Sequence, residues 1–372
     1  MNTASPGSRT VPETLVIDGA YGEGGGQILR TALALAAILG RAVRFTRIRA
    51  GRRRPGLAAQ HLTAVRAAAK LCEAALDGDV LGSQEVIFTP QLPVKAGAYT
   101  FDVAAAREGG SAGGVSLVLQ TVLLPLAFAS GRSDVLIQGG THLPQSPPFD
   151  YVRDVWLPAL RSLGIRATVA LEAWGWFPVG RGAIHADIAG APPVAGDLAQ
   201  LELLAPGPLL RVVGRAVGAN LPDHIPRRMA DRATALLTPV ATSINVQVEC
   251  VRAACPGAGI FLMAEYQHAR AGFSVLGARG KPSEQVAEEA VGELLRHHAT
   301  GAAVDCHLAD QLLLPLSLAA GPSHFTVERV TRHLETNAWV IEQFGIARTM
   351  VHRTGVGTAH VEVKPERFLH QS

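Results

Sequence analysis

A glutamate stands within a run of glycines near the start of the chain. Residues 18–30 read DGAYGEGGGQILR, and Glu23 lies among the glycines. A glycine-rich loop that leads into a helix exposes backbone N–H groups and the positive end of the helix dipole, which favours an anion. Glu23 suits such a loop if the anion arrives with Mg²⁺ or Mn²⁺, because its oxygen can take one position on the cation while phosphate oxygens take others.

Arg30 follows Glu23 by seven residues, which is about two helical turns. If the helix begins early enough, the two side chains share a face and Arg30 can bind a phosphate with two parallel hydrogen bonds. The alternative is an ordinary turn before a helix, with Glu23 near the positive helix end and Arg30 on the solvated surface. Spacing alone leaves both interpretations open.

Two common nucleotide-binding motifs are missing. The segment GARGKPSEQ, residues 277–285, lacks the first glycine of a phosphate-binding P-loop and has Pro282 after its lysine. The dinucleotide motif GxGxxG fails because Gln27 stands where its third glycine should be. The sequence therefore argues against a P-loop NTPase and against a dinucleotide-binding oxidoreductase.

Positive charge is concentrated locally. The formal net charge is only +3, but seven arginines lie between Arg41 and Arg54. That density indicates a partner that carries phosphate, and the alternative is a solvated strand face. Aromatic residues are 5% of the chain, which argues against recognition by base stacking.

Length and composition limit the class of protein. A chain of 372 residues exceeds the size at which a single core usually keeps growing, so two domains or repeated units are expected. The four cysteines have no metal-binding spacing and are typical of reduced thiols in the cytoplasm. Residues 1–14 resemble a flexible tail and no signal peptide, and no apolar run reaches the length of a membrane span, so a cytoplasmic protein is expected.

The elements that must position these residues show an internal repeat. Three segments begin with polar residues, continue as an apolar helix and end at a glycine, which is a common helix terminator. Each is followed by a strand, a further helix and, in the second and third cases, a further strand with β-branched alternation. The apolar helices are residues 24–40, 112–131 and 306–321.

The spacing of these units is uneven. The first two begin about 90 residues apart and the last two about 190, which indicates an interruption of the third unit. Residues 204–299 have strands and helices of their own and are long enough for a small α/β domain. The sequence predicts an α/β (α+β) protein with a large three-repeat domain, residues 15–203 and 300–372, and an inserted domain at 204–299.

Six motifs in order across the chain resemble the RNA 3′-terminal phosphate cyclase family. They are DGAYGEGGGQILR, IRAGRRRPGLAAQHLTAV, GSAGGVSLVLQTVL, GGTHLPQSPPFDY, HLADQLLLPLSLA and RHLETN, and they span residues 18–337. The resemblance implies three repeats with an inserted domain, a fold related to the enolpyruvyl transferases. It also implies ATP-dependent conversion of an RNA 3′-phosphate to a 2′,3′-cyclic phosphate, through a histidine–AMP and then an RNA–pp–A intermediate.

The resemblance also implies site residues. His333 matches the histidine nucleophile, and Glu23 matches the glutamate that binds Mg²⁺ or Mn²⁺. Arg30, Arg52 and Asp310 also match catalytic residues of the family, and Asp310 lies near the adenosine and the histidine. The family's RNA- and phosphate-binding positions match Arg49, Arg52, Gln60 and His61. The family's ATP-binding positions match Gln120, His307, Asp310 and Gln311.

This chain departs from the family pattern at three positions. His307 replaces a frequent tyrosine, His142 an acidic or amide residue, and Arg181 a glycine. These changes concern adenine and RNA contacts, and leave the nucleophile and the metal-binding glutamate unaltered.

Two other functions remain to be distinguished. One is a non-catalytic scaffold of the same family in ribosomal RNA processing, against which the presence of His333 counts. The other is an enolpyruvyl-transferase-like enzyme, which would ignore ATP and shares only the fold. The expected partners are ATP and RNA with a 3′-terminal phosphate, with salt-dependent binding and little sequence preference, and a homodimer is expected from the long apolar helices.

Overall fold

A computed structural model describes residues 14–106, 112–190, 198–354 and 357–366. The predicted tail lies outside these ranges except for Thr14, and so do the first two residues of the GSAGG motif, Gly110 and Ser111.

The N-terminal sheet is covered by two helices. The first helix is apolar on almost every side, so Ile28, Leu29 and Leu33 are buried to within 1%. It ends at Gly40, whose left-handed backbone (φ 62°) lets its N–H donate to the carbonyl of Ala36. The elements are β1 (Leu15–Asp18), α1 (Gly26–Leu39), β2 (Val43–Thr46), α2 (Ala59–Cys72), β3 (Ala75–Asp77) and β4 (Val86–Thr89), with sheet order β1-β2-β4-β3.

The middle sheet repeats this arrangement. Its second helix contains a π-helical stretch, Val152–Trp156, between α-helical ends Phe149–Tyr151 and Leu157–Ser162, and the three together are called α4. The other elements are β5 (Ala98–Asp102), α3 (Val115–Ala127), β6 (Gly131–Gly139), β7 (Arg166–Ala173) and β8 (Gly182–Gly190), with order β5-β6-β8-β7.

The C-terminal sheet is assembled from two separated parts of the chain. Its first strand, β9, precedes a small sheet with two helices of its own, and its other elements follow that small sheet. The small sheet has order β11-β10-β12-β13, and the C-terminal sheet has order β9-β14-β16-β15. The elements are β9 (Glu202–Leu203), β10 (Leu209–Ala219), α5 (His224–Leu237), β11 (Ile244–Val251), β12 (Gly257–Tyr266), β13 (Arg270–Leu276), α6 (Ser283–Thr300), α7 (Cys306–Leu316), β14 (Ser323–Val327), α8 (Arg332–Gln343), β15 (Ala347–Arg353) and β16 (Ala359–Pro365).

The N-terminal, middle and C-terminal sheets share one topology. In each, the first strand is parallel to the second, and the fourth lies antiparallel between the second and the third. The predicted order of helix, strand, helix and strand was therefore incomplete, because each sheet has a strand before its first helix and a pair of strands after its second. The predicted α/β class is confirmed.

Helices from different sheets meet at the centre. α1 packs against α2, α3 and α8, and α7 packs against α8. The apolar sides of these helices join one connected core of buried side chains. This packing brings the N-terminal ends of α1, α2 and α8 together. Within the described ranges, the structure has no helix long and apolar enough to cross a membrane.

Candidate active site

The glycine loop after β1 allows two helices to approach α1 closely. A side chain on Gly22, which has a left-handed backbone (φ 55°), would place its Cβ 2.4 Å from the Oγ1 of Thr336 on α8. A Cβ on Gly26 would lie 2.2 Å from the Nε2 of His61 on α2. Both distances are shorter than real Cβ contacts, so glycine is required at these positions for the helices to meet.

Glu23 is held in this loop by three residues from two parts of the chain, the arginine-rich segment and α8. Its Oε1 accepts a hydrogen bond from Arg52 Nη2 at 2.9 Å, and its Oε2 lies 2.9 Å from His333 Nε2. Its N–H donates to Thr336 Oγ1 at 3.4 Å. Because α1 begins at Gly26, Glu23 lies before the helix, so the condition for a shared helical face with Arg30 is not met. The residues meet through tertiary contacts instead.

His333 occupies the second position of α8, after the N-cap Thr331, whose hydroxyl accepts the N–H of Leu334 at 3.1 Å. Its Nδ1 contacts Gln27 Oε1, on the opposite side of the ring from Glu23. Burial lowers the pKa of His333, and the nearby positive charges lower it further, against the opposing effect of Glu23. The imidazole is therefore neutral near pH 7, as a nucleophile must be.

The half-buried carboxylate of Asp310 lies beyond Gln27. The Nε2 of Gln27 donates to Asp310 Oδ2, and the side chain of Asn337 donates to the backbone carbonyl of Asp310 at 2.8 Å. Burial raises the pKa of Asp310 to about 7, with Gln27, His307 and Arg30 acting in the opposite direction. The sequence comparison named Asp310 but missed Gln27, whose only local signal was its place in a failed glycine motif. Asp305 is the N-cap of α7, and Asp310 lies inside the helix.

Arg30 lies one turn into α1 and faces the same cleft. Burial lowers its pKa to about 10, although Asp310 and Glu23 raise it, so the guanidinium remains charged at neutral pH. Within the described part of the chain, it has no hydrogen bond and no ion pair. A half-buried cation without a matched acceptor is a favourable partner for an anionic ligand, because the ligand supplies the missing hydrogen bonds.

His61 is a neutral donor beside Arg30. Its Nδ1 accepts the N–H of Ala58 at 3.2 Å, so the ring proton lies on Nε2, the atom nearest Gly26. Burial, followed by the charges of Arg49, Arg30 and Arg52, lowers the pKa of His61 to about 3. An uncharged Nε2–H at the start of α1 is suited to donate to an oxygen of a bound anion.

The far side of the cleft is lined by amides. Gln120 Nε2 donates to Gln311 Oε1 at 2.8 Å, and Gln311 Nε2 donates to the carbonyl of His307 at 2.7 Å. Gln120, Gln311 and Arg30 border a small cleft with a cavity volume of about 40 Å³, with Leu124 and Trp156 as its apolar wall.

Two residues predicted on the phosphate side lie at its margin. Gln60 Oε1 accepts the N–H of Gly114 at 3.3 Å, which joins α2 to the start of α3. Arg49 Nη1 donates to the carbonyl of Gly56 at 2.7 Å, and burial followed by the charge of Arg52 lowers its pKa. Gln60 therefore connects α2 to the start of α3. Arg49 stabilises the arginine-rich loop next to Arg52.

The acidic and imidazole side chains of the site limit how a metal ion could bind. The described residues contain no group of three or more His, Cys, Asp or Glu side chains able to hold one. Glu23 is 28% exposed and is a single carboxylate facing the phosphate side. Mg²⁺ is often bound by one carboxylate together with phosphates of the substrate, so the residues fit a cation that arrives with a nucleotide.

The departures from the family pattern have different surroundings. His142 is 4% exposed and stacks between Trp174 and Trp176, with ring centroids 4.8 Å from each. Its Nδ1 lies 2.8 Å from Thr141 Oγ1. His142 is therefore a packed core residue. Arg181 adopts a left-handed backbone (φ 54°), the conformation for which glycine is the usual residue.

An α/β protein with a glycine loop, a histidine of lowered pKa and an unmatched arginine in one region has the features of a phosphate-handling enzyme. The chain belongs to the RNA 3′-terminal phosphate cyclase family, whose model matches residues 21–351.

Similar proteins with that name come from several bacteria. The RNA 3′-terminal phosphate cyclase of Methylococcus capsulatus is 56% identical over 94% of this chain and 96% of its own length. The enzyme of Nostoc punctiforme is 54% identical over 90% of this chain and 95% of its own length. The enzyme of Salmonella agona is 42% identical over 89% of this chain and 92% of its own length. An enolpyruvyl transferase from Streptomyces tendae matches at 18% identity and a TM-score of 0.25, over 50% of this chain and 32% of its own, which carries no argument about function.

Proposed function

We propose that this protein converts the 3′-terminal phosphate of RNA into a 2′,3′-cyclic phosphate with ATP, through histidine–AMP and RNA–pp–A intermediates. The observation that carries the proposal is the position of His333: a neutral imidazole with Glu23 on one side and Gln27 on the other, next to the amide-lined cleft. Family membership supports the overall reaction.

In the first step, His333 Nε2 attacks the α-phosphorus of ATP. The new N–P bond replaces the bond to pyrophosphate, which leaves. An oxygen of the RNA 3′-phosphate then attacks the same phosphorus and displaces the imidazole. Finally the ribose 2′-oxygen attacks the 3′-phosphorus and AMP leaves. Covalent catalysis of this kind divides one difficult transfer into easier ones.

The positive groups of the site stabilise the charge that develops in these transfers. Arg30 supplies unmatched donors close to Asp310 and Glu23, and His61 supplies a neutral Nε2–H at the start of α1. Donors that are already oriented require no reorganisation during the reaction. Gln120 and Gln311 would bind the adenosine part of ATP in the cleft, with His307 at its margin. On the phosphate side, Arg49, Arg52 and Gln60 would bind the RNA end.

The same proposal assigns Glu23 to a divalent cation. When bound, Mg²⁺ or Mn²⁺ would neutralise charge on the phosphates of ATP. Glu23 would hold it with one carboxylate oxygen, while Arg52 keeps that carboxylate in place.

We further infer that the chain is a three-repeat domain with residues 204–299 inserted in the third repeat. The topology shared by the N-terminal, middle and C-terminal sheets supports the repeat, and the small sheet between β9 and α7 supports the insertion. The four free cysteines support a cytoplasmic location. A homodimer stays a prediction.

The test is transfer of label from α-labelled ATP to the protein with Mg²⁺ or Mn²⁺. Label stable to alkali and labile to acid should remain on the denatured chain, disappear in His333→Ala and persist in the control His352→Ala, an exposed histidine on β15. RNA with a 3′-phosphate should then discharge the label and acquire a phosphatase-resistant end. A wild-type protein that takes up no label with either metal would contradict the proposal and favour the scaffold function.

A further inference from the structure

We propose that Gln27 is the positioning residue that keeps the ring proton of His333 on Nδ1 and leaves the lone pair of Nε2 for the attack on ATP. The inference rests on the proposed function and adds a residue to it. Gln27 is only 6% exposed, and its side-chain amide lies between Asp310 and His333, one partner at each end.

The orientation of the amide follows from the charge of Asp310. Above its pKa of about 7 the carboxylate of Asp310 only accepts hydrogen bonds, so the Gln27 –NH₂ faces Asp310 in that pH range. The reverse orientation would bring the amide oxygen against a carboxylate oxygen in a buried site. With –NH₂ towards Asp310, the Gln27 Oε1 necessarily faces His333.

The amide oxygen then determines the tautomer of the imidazole. Oε1 can only accept, so the contact with Nδ1 is a hydrogen bond when the proton lies on Nδ1. A neutral ring has a single N–H, so Nε2 carries the lone pair. That nitrogen lies 2.9 Å from Glu23 Oε2, a second acceptor that favours the opposite tautomer. Gln27 and Glu23 therefore compete for the ring proton, and removal of the Gln27 amide leaves the preference of Glu23 unopposed from this side.

The structure around Gln27 keeps the amide in place. Gln27 is the second residue of α1, and its two partners come from α7 and α8, which are 283 positions away in the chain for Asp310 and 306 for His333. Asp310 is itself held, because Asn337 donates to its carbonyl. A side chain of equal size without the amide would fill the space but leave both ring nitrogens without a tautomer preference from this side.

The experiment compares Gln27→Leu with wild type in two measurements. Nitrogen-15 NMR of the histidine ring, assigned with His333→Ala, should show Nδ1–H in wild type and a shift towards Nε2–H in Gln27→Leu. The rate of self-adenylylation at saturating ATP should fall about 100-fold, comparable with removal of one preorganised donor, while KM for ATP stays within about twofold.

A rescue variant separates positioning from packing. Gln27→Glu combined with Asp310→Asn keeps the order of donor, acceptor and imidazole, because the amide introduced at position 310 would donate to the carboxylate introduced at position 27. The double variant should undergo self-adenylylation at least about tenfold faster than Gln27→Leu. A Gln27→Leu protein with normal melting and an unchanged His333 tautomer would overturn the inference. If wild type itself takes up no label, the proposed function fails instead, and the NMR result still reports on the tautomer.

A second inference comes from the arginine-rich segment. We infer that Arg53 and Arg54 bind backbone phosphates of the RNA upstream of its 3′ end. Both side chains are exposed, and within the described ranges neither has a hydrogen bond or an ion pair. Arg44 and Arg47 in the same segment are neutralised, by Glu85 and Asp18 respectively.

The position of this pair points towards RNA. Arg52 contacts Glu23, and Glu23 contacts His333. Because Arg53 and Arg54 directly follow Arg52 in the chain, the two unpaired charges lie next to the proposed reaction centre. The loop that presents them is fixed: Ile48 N–H donates to Gln84, Gly56 N–H donates to Ile48, and a Cβ on Gly56 would lie 2.0 Å from the carbonyl of Gly82. A fixed pair of unmatched guanidiniums suits a repeating polyanion.

The test compares two variants of equal charge change, Arg53→Ala/Arg54→Ala and Arg44→Ala/Arg47→Ala. With a 12-nucleotide RNA ending in 3′-phosphate, the first should bind on the order of tenfold more weakly at 0.1 M salt, with the slope of log affinity against log salt reduced by about 1.4. The control should stay within about twofold. KM for a dinucleotide ending in 3′-phosphate should be unchanged in both.

Three results would overturn this inference. They are equal losses in both variants, unaltered RNA binding in Arg53→Ala/Arg54→Ala, and an equal loss for the dinucleotide, which would assign the arginines to the terminal phosphate. The binding measurement needs no ATP, so a protein without cyclase activity could still support or contradict it.

Discussion

Helix α7 carries two aspartates, Asp305 and Asp310, whose surroundings are opposite. At its N-terminal end, Asp305 accepts four hydrogen bonds, from the N–H groups of His307 and Leu308 at 2.9 Å, from Tyr151 Oη at 2.8 Å and from Gly272 N–H at 3.3 Å. Just over one turn later, the carboxylate of Asp310 has one hydrogen bond within the described residues, from Gln27. Asp305 is fully buried and Asp310 is half-buried, and the supply of donors differs as well.

The difference separates a structural carboxylate from a reactive one. Asp305 joins α4, the small sheet and α7 through Tyr151, Gly272 and the helix N-terminus, so its charge is fully matched. Asp310 has one hydrogen bond and no ion pair within the described residues, and burial raises its pKa to about 7. Unmatched titratable groups beside a cleft indicate function, whereas matched ones indicate stability.

The largest expected effect is a loss of stability when Asp305 is replaced. Asp305→Ala leaves four donors without an acceptor and removes the N-cap of α7, so the free energy of unfolding should fall by about 5 kcal/mol. Denaturant unfolding measures it. A loss below about 2 kcal/mol would show that water or neighbouring groups replace the carboxylate, and the contrast between the two aspartates would disappear.

The second prediction concerns the dependence of stability on pH. Because the pKa of Asp310 is raised in the folded protein, the folded state holds a proton that the unfolded chain releases near pH 4. The associated stability is complete below pH 4 and is lost as pH rises to about 7, by up to about 4 kcal/mol in the absence of ATP. Comparison with Asp310→Asn isolates this contribution. Parallel stability curves for both proteins between pH 4 and 7 would contradict it.

The third prediction is an effect on activity alone. Asp310→Asn should reduce the rate of adenylylation about 100-fold, because a neutral amide no longer orients Gln27. Its stability at pH 8 should equal or exceed that of wild type, since a buried charge is removed. Enzyme kinetics and unfolding measured on the same preparation test both statements. An Asp310→Asn variant as active as wild type would contradict the role proposed for Asp310.

The smallest effect sharpens the comparison at Asp305. Tyr151→Phe removes one of the four donors and leaves the carboxylate in place, so the cost should be about 1 kcal/mol. Thermal unfolding detects a change of this size in a protein of this length as a shift of about 1–3 °C. A cost near that of Asp305→Ala would mean that Tyr151 carries most of the interaction.

Local patterns in the sequence predicted much of the fold. The apolar runs of α1, α3 and α7 and the alternation of β6 and β15 are readable from residue spacing, and the structure contains these elements. Several strands were missed, for different reasons. β3 has only three residues, whereas the alternation of AHVEVKP in β16 was present and overlooked. β5 and β8 lie in segments where glycine and charged residues interrupt the pattern.

Family motifs located many candidate residues, and the structure brings Glu23, Arg30, Arg52, Asp310 and His333 into one region. Their roles stay predictions. His142 was noted only as a departure, and its place between two tryptophans could not be read from a loop sequence. The paired state of Arg44 and Arg47, and the unpaired state of Arg53 and Arg54, were equally unreadable, since all belong to one run of arginines.

The sequence by itself determined the types of element, the order of the repeated segments and the presence of a glycine loop with a carboxylate. Only the tertiary structure decided that Gln27 contacts both Asp310 and His333, residues 283 and 306 positions further along the chain. The reason is physical: helix and strand formation depends on near neighbours, whereas burial, charge pairing and the resulting pKa depend on groups that meet only when the helices pack.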